Sequence, residues 1–153
     1  ERLFVAGGSA GGYLVALLSV DGRYLKKHRL GLENIRGTIA ISGLMNTAKV
    51  PPERLKLVWG GDPAVIRRAS PMQYVSKDVP ATLILFADGD TIGRKKQNRS
   101  MATALRKAGH RDVSVQEMVD RTHDSIREHM AEKDDPGLSR MLRFLTRLSE
   151  APG

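Results

Sequence analysis

Residues 3–12 read Leu3-Phe4-Val5-Ala6-Gly7-Gly8-Ser9-Ala10-Gly11-Gly12, an apolar run that passes at once into a glycine-rich turn. A short, continuous apolar run of this kind is what a strand covered on both faces requires. Residues 14–20 follow, apolar almost all round, and predict a deeply buried helix ended by Asp21-Gly22. The turn between them matches G-x-S-x-G. On that reading a sharp strand-to-helix turn holds Ser9 in a strained conformation, Gly7 and Gly11 remove side chains that would clash across it, and Gly12 lets the helix pack closely on the sheet. The Ser9 hydroxyl then stands beyond the end of the strand, where a helix N-terminus favours developing negative charge. The plainer alternative is a glycine-rich turn without chemistry. A Walker phosphate loop does not fit, because no Lys-Ser/Thr follows at the right spacing, and G-x-G-x-x-G is not matched.

Working outward, residues 38–42, 82–87 and 113–119 are further strand-like runs. Helical patterns separate them. Residues 97–108 carry the stripe Met101, Ala104, Leu105 and Ala108, closed by Gly109. The last helix is predicted with Asp135 as N-cap, Pro136 at its first position, and the stripe Leu138, Met141, Leu142, Leu145 and Leu148. A shorter helix is expected from Asp62-Pro63 to before Ser70-Pro71. Alternating strands and helices predict an α/β fold, an open and mostly parallel sheet with helices on both faces and right-handed crossovers. Residues 44–74, punctuated by Pro51-Pro52, Gly60-Gly61 and Ser70-Pro71, read as a loop and short-helix excursion over the sheet. The chain reads as one domain over residues 1–153.

Composition bounds the function. The chain has 153 residues, 41% hydrophobic and 27% charged, enough for a single core. With no Cys, disulfides, thiolate metal sites and a cysteine nucleophile are excluded. No apolar run reaches the ~20 residues of a membrane span. The 25 Lys+Arg against 17 Asp+Glu give a net charge of +8. Those cations are interleaved with acids and lack the alternating aromatics of a stacking platform, so nucleic acid is not the expected partner. No cluster of ligating residues predicts a metal, and no cofactor is expected. The sequence begins Glu1-Arg2 directly before the first strand, without Met, and reads as cut from a longer chain.

A serine nucleophile needs a base, and the base needs an orienting carboxylate, each in a loop just past a later strand and in the order Ser, acid, His. Asp88-Gly89-Asp90 follows the third strand, and Asp120-Arg121-Thr122-His123 follows the fourth. Asp90 is preferred to Asp88, which still belongs to the strand end. His123 alone among the four histidines occupies the required loop; His28, His110 and His129 read as surface residues.

With these residues placed, the sequence resembles the α/β-hydrolase superfamily, and within it the small serine esterases of the kynurenine-formamidase and hormone-sensitive-lipase-like groups. The resemblance runs through residues 7–12, Arg23-Tyr24-Leu25, Gly31-Leu32, residues 35–43, Ala69-Ser70-Pro71, Ala87-Asp88-Gly89-Asp90 and residues 121–126. It implies Ser9 as nucleophile, His123 as general base and acid, Asp90 as orienting carboxylate, and the backbone N–H of Ala10 as one oxyanion donor. Gly8 stands where the family usually has His, and Asp124, directly after the base, is expected to favour protonated His123. The family's first strands and its H-G-G-G-type loop precede the elbow, and nothing here corresponds to them. The resemblance therefore implies the C-terminal half of such an enzyme, occurring with its N-terminal half or self-associated along the edge of residues 3–6.

The function expected is hydrolysis of small carboxylic esters through an acyl-enzyme. A peptidase or amidase of the same superfamily, and a non-catalytic binding module on the same scaffold, are the alternatives.

Overall fold

In the computed structural model, which describes residues 3–150, the apolar runs become four strands: β1 (Leu3–Gly8), β2 (Ile35–Ile41), β3 (Ala81–Ala87) and β4 (Val113–Met118). They lie in chain order β1-β2-β3-β4, every pair parallel. Ala6 stands opposite Ile39, Ile39 opposite Leu83, and Leu83 opposite Ser114. β2 starts earlier than its apolar run, at Ile35, because Leu3 and Phe4 of β1 pair with Ile35 and Gly37. Glu1, Arg2 and residues 151–153 lie outside the described residues.

Seven helices connect and flank the strands: α1 (Ala10–Val20), α2 (Arg23–Lys26), α3 (Pro52–Trp59), α4 (Pro63–Arg68), α5 (Ile92–Lys107), α6 (Ser125–Glu128) and α7 (Pro136–Glu150). The two-residue period of the strands divides the core between the two faces of the sheet. On one face Ala40 and Ile84 meet Ala16 and Val20 of α1 and Met101, Ala102 and Leu105 of α5. On the other, Ile39, Ile41, Leu83 and Leu85 meet Phe144 and Leu148 of α7. This is the open parallel α/β sheet that the sequence predicts, covered on both sides.

Three expectations need correction. α1 is not buried all round: Leu14 is 60% exposed, because the side that packs on the sheet is that of Ala16 and Val20. α7 packs Met141, Leu145 and Leu148 of its stripe against the sheet as expected, but it adds buried Phe144 and leaves Leu142 53% exposed. His110 is buried, with Nδ1 and Nε2 lying 3.2 and 3.0 Å from the carbonyls of Lys77 and Asp112. α5 also starts earlier than its stripe, because the Thr91 side chain accepts from the Arg94 N–H and caps it.

Residues 44–74 contain α3 and α4, each with Pro in its first turn, and Asp62 caps α4 by accepting from the Ala64 N–H. The segment is tied down at both ends. The Met45 and Asn46 N–H groups donate to Gln97 Oε1 of α5 at 3.1 and 2.9 Å, and Tyr13 of α1 donates to Ala69 O at 2.8 Å. Within the segment, the Thr47 hydroxyl donates to Ile66 O at 2.7 Å. Tyr13 and Trp59 meet edge to face, 6.0 Å apart. The excursion is thereby fixed over the carboxyl end of β1.

Candidate active site

Every strand delivers a polar residue just past its carboxyl end: Ser9 after β1, Ser42 after β2, Asp90 after β3 and His123 after β4. In an open parallel sheet this edge is where ligands bind. Two of these exits are left-handed in backbone, Ser9 with φ 55° and Ser42 with φ 48°, and Asp120 in the β4 exit has φ 57°. Such conformations cost on the order of 1–3 kcal/mol each and persist only where the surroundings hold them. At Ser9 the surroundings are visible. Its N–H donates to Ile41 O at 2.8 Å, and its carbonyl accepts from Tyr13 N at 3.0 Å.

The glycines explain why the turn closes. A Cβ at Gly7 would stand 2.5 Å from the backbone of Gly11, and one at Gly12 would stand 2.7 Å from Ile41 O. Gly11 departs from expectation: a Cβ there meets nothing within 4 Å, so that position is open. A Cβ at Gly8 would meet only the flexible side chain of Arg127.

The structure brings together the three side chains singled out in the sequence. Ser9 Oγ lies 2.8 Å from His123 Nε2, and His123 Nδ1 lies 2.6 Å from Asp90 Oδ1. With Asp90 accepting the Nδ1 proton, Nε2 keeps a lone pair toward the serine hydroxyl. Asp90 is 6% exposed, and its second oxygen accepts from Ser42 Oγ at 2.5 Å and from the Ala87 N–H at 3.1 Å. Ala10 opens α1, so its N–H has no partner within the helix and stands beside Ser9. This arrangement can transfer a proton from hydroxyl to imidazole while a buried carboxylate fixes the ring.

Asp88 does a different job. Its carboxylate accepts from the N–H groups of Asp120 and Arg121, which hold it below the usual carboxylate range. It thereby anchors the loop that carries His123. Arg121 in turn donates to buried Asp135, which also accepts from the Leu138 N–H and caps α7. Burial pushes the Asp135 carboxyl up, but Arg121 and Leu138 outweigh it and the net direction is down. Asp124 is exposed and accepts from Arg127, so its charge is committed to that pair at the surface. Sequence reasoning missed Ser42, Gln97 and Asn98. Gln97 Oε1 accepts from the Met45 and Asn46 N–H groups, and Asn98 Nδ2 donates to Gly43 O, so α5 clamps the β2 exit.

A cavity of about 450 Å³ opens at Ser9, walled by Tyr13, Leu14, Val58, Trp59 and Arg94 among others. A larger, more apolar groove of about 830 Å³ continues along α1 and does not reach Ser9. Among the described residues no group of three or more His, Asp or Glu could hold a metal ion, and no helix is long and apolar enough to cross a membrane.

Solved structures share this architecture. A truncated carbohydrate esterase from gut microbiota matches with a TM-score of 0.74 and 19% identity over 95% of this chain and 59% of its own. A thermophilic esterase from the Planctomycetes species Thermogutta terrifontis, with propionate bound, gives 0.68 and 21% over 94% of this chain and 53% of its own. A bifunctional GH43-CE protein from Bacteroides eggerthii gives 0.71 and 17%, covering 94% of this chain and 21% of its own. The likeness shows the fold, the α/β sheet of these esterases, and this chain spans little more than half the length of the first two. No family model and no curated protein matches the sequence.

Proposed function

We propose that this chain carries the catalytic residues of a serine hydrolase that cleaves small carboxylic esters. The observation behind this reading is the chain of contacts Ser9 Oγ–His123 Nε2 and His123 Nδ1–Asp90 Oδ1, at 2.8 and 2.6 Å, on the carboxyl edge of a parallel sheet. Ser9 Oγ attacks the ester carbonyl while His123 Nε2 takes its proton, and Asp90 stabilises the imidazolium. The Ala10 N–H donates to the oxyanion. Collapse expels the alcohol, which takes the proton from His123; water then repeats the sequence on the acyl-serine and releases the acid.

Two structural neighbours add support at the level of fold. One is the esterase with propionate bound, and the same esterase is described as phosphonylated by sarin. The test is labelling with a fluorophosphonate followed by mass spectrometry. The expected result is a single adduct on Ser9, absent in Ser9→Ala; folded protein left unlabelled at Ser9 overturns the reading. Short acyl esters and aminoacyl amides assayed side by side separate an esterase from a peptidase, and hydrolysis unchanged in Ser9→Ala favours the non-catalytic module. The partner proposed for the β1 edge is another strand, since β1 pairs only with β2 among the described residues.

A further inference from the structure

The cavity at Ser9 is lined by three cations, Lys49, Arg54 and Arg94, and by no Asp or Glu. Elsewhere some arginines are matched with acids: Arg23 with Asp21, Arg99 with Glu117, Arg121 with Asp135, Arg127 with Asp124, Arg147 with Asp112. Lys49, Arg54 and Arg94 have no ion pair and no side-chain hydrogen bond among the described residues. Gln97 also lines the cavity; with its oxygen held by two backbone N–H groups, it has only its amide hydrogens left to offer.

Arg94 is the most informative of the three. It is half-buried, in the first turn of α5, where the helix dipole disfavours positive charge, and no acid forms an ion pair with it. Burial, and then the neighbouring Arg54, push its guanidinium below the ordinary arginine range, with Asp90 opposing. Asp90 makes no ion pair with Arg94; its carboxylate is engaged by His123, Ser42 and the Ala87 N–H. A partly desolvated cation without a partner costs stability unless something else supplies the negative charge.

We infer that this site, if Ser9 is the ester-cleaving nucleophile proposed above, selects esters that carry a carboxylate, whose charge is received by Arg94 with Arg54 and Lys49. A guanidinium presents paired N–H donors that match a carboxylate, and the aliphatic and aromatic wall of Leu14, Val58 and Trp59 suits the carbon chain between carboxylate and ester. The competing explanation is that Arg94 merely balances Asp90. That role would affect charged and neutral esters alike.

The experiment compares para-nitrophenyl monoglutarate with para-nitrophenyl pentanoate, which differ in the charged end of the acyl chain. A second pair, para-acetoxybenzoate and para-tolyl acetate, places the charge on the alcohol side. The expected result is a kcat/KM preference of about tenfold or more for the charged member of one pair, narrowed by added salt. Arg94→Gln lowers that ratio about tenfold, and Arg94→Lys restores part of it. Neutral esters cleaved with no charge preference, or with a ratio unmoved in Arg94→Gln and Arg54→Gln, overturn the inference and leave the hydrolase reading standing. If no ester is cleaved, calorimetric titration with glutarate decides. Binding lost in Arg94→Gln keeps the anion site and discards the hydrolase, and absence of binding discards the anion site.

Discussion

The Ser42 hydroxyl donates to Asp90 Oδ2 at 2.5 Å, from a residue whose own backbone is left-handed at φ 48°. The Ala87 N–H reaches the same oxygen at 3.1 Å, so the face of Asp90 turned away from His123 is fully occupied. Asp90 is thus held so that Oδ1 alone is free to receive the imidazole.

Ser42→Ala removes one of the two restraints on Oδ2 and leaves the other. A hydrogen bond to a charged group is worth about 1.5–3 kcal/mol, and the remaining N–H limits the loss. The expected outcome is a fall in kcat of about tenfold with KM little changed, together with slower fluorophosphonate labelling of Ser9. Ser42→Thr keeps the hydroxyl and is expected to recover part of the rate. Equal labelling rates in Ser42→Ala and wild type would show that Asp90 needs no support from β2.

The elbow glycines are expected to separate by what a methyl group would meet. At Gly12 it would press on Ile41 O at 2.7 Å, backbone that cannot yield, so Gly12→Ala should cost about 1–3 kcal/mol. At Gly11 it meets open space inside a helix, so Gly11→Ala should be neutral or stabilising by up to about 1 kcal/mol. At Gly8 the obstacle is the Arg127 side chain, which can swing away, so Gly8→Ala should fall between. Urea unfolding of the three variants tests the order, and Gly11→Ala being the most destabilised would refute it.

Much of this was legible because chemistry and topology repeat each other. Ser9, Asp90 and His123 each come shortly after a strand-like run, so the strand exits select them among many polar residues. Asp90 was preferred to Asp88 because Asp88 directly follows the apolar run; β3 ends at Ala87, and Asp88 binds backbone N–H groups of the opposite loop. Ser42 was hidden because a lone Ser-Gly after a strand is an ordinary loop start, and its role arises only when β3 lies alongside. Asn98 interrupts an otherwise apolar face that includes Met101, Ala102 and Leu105, a visible anomaly whose target, Gly43 O, no periodicity predicts. The stripe of α7 was legible in Met141, Leu145 and Leu148, but Leu142 was included and Phe144 omitted, because both are apolar and they lie on different sides of the helix. Only the packing against Leu83 and Leu85 chooses between them.

Acid should strike at the anchor of α7. The Asp135 carboxyl titrates below its ordinary value of 3.8, held down by Arg121 and the Leu138 N–H against the effect of burial. A folded-state value below the unfolded one contributes stability that is present above the unfolded value and is lost as pH falls through the folded value. Asp135→Ala removes the helix cap and strands a mostly buried Arg121, so it should destabilise on the order of 3 kcal/mol at neutral pH. The loss should begin to shrink as pH drops through the unfolded carboxyl's range, about 4. It should go on shrinking until the lower-titrating folded carboxylate of wild type is protonated as well. A difference between the two proteins that stays constant from neutral pH into strong acid would remove Asp135 from this role.

The free edge of β1 supplies the last prediction. Among the described residues β1 has β2 on one side only, and Leu3 is 46% exposed with Ala6 also open. An edge of this kind, apolar and without a charge along Leu3–Gly8, presents unpaired N–H and C=O groups to any strand that can reach them. The chain in solution should therefore associate through β1, and light scattering should give a mass above the monomer that rises with concentration. Leu3→Lys places a charge on that edge and should shift the population toward monomer without unfolding it, as far-UV circular dichroism would record. The effect reaches the site, because Ser9 follows β1 directly and its N–H is held by Ile41 O of β2 alone. Pairing along the open edge should hold the elbow more firmly, so the fluorophosphonate labelling rate of Ser9 should rise with protein concentration in wild type and not in Leu3→Lys. A monomer at every concentration, labelled at one constant rate, would show that β1 is supported well enough by β2 and α1.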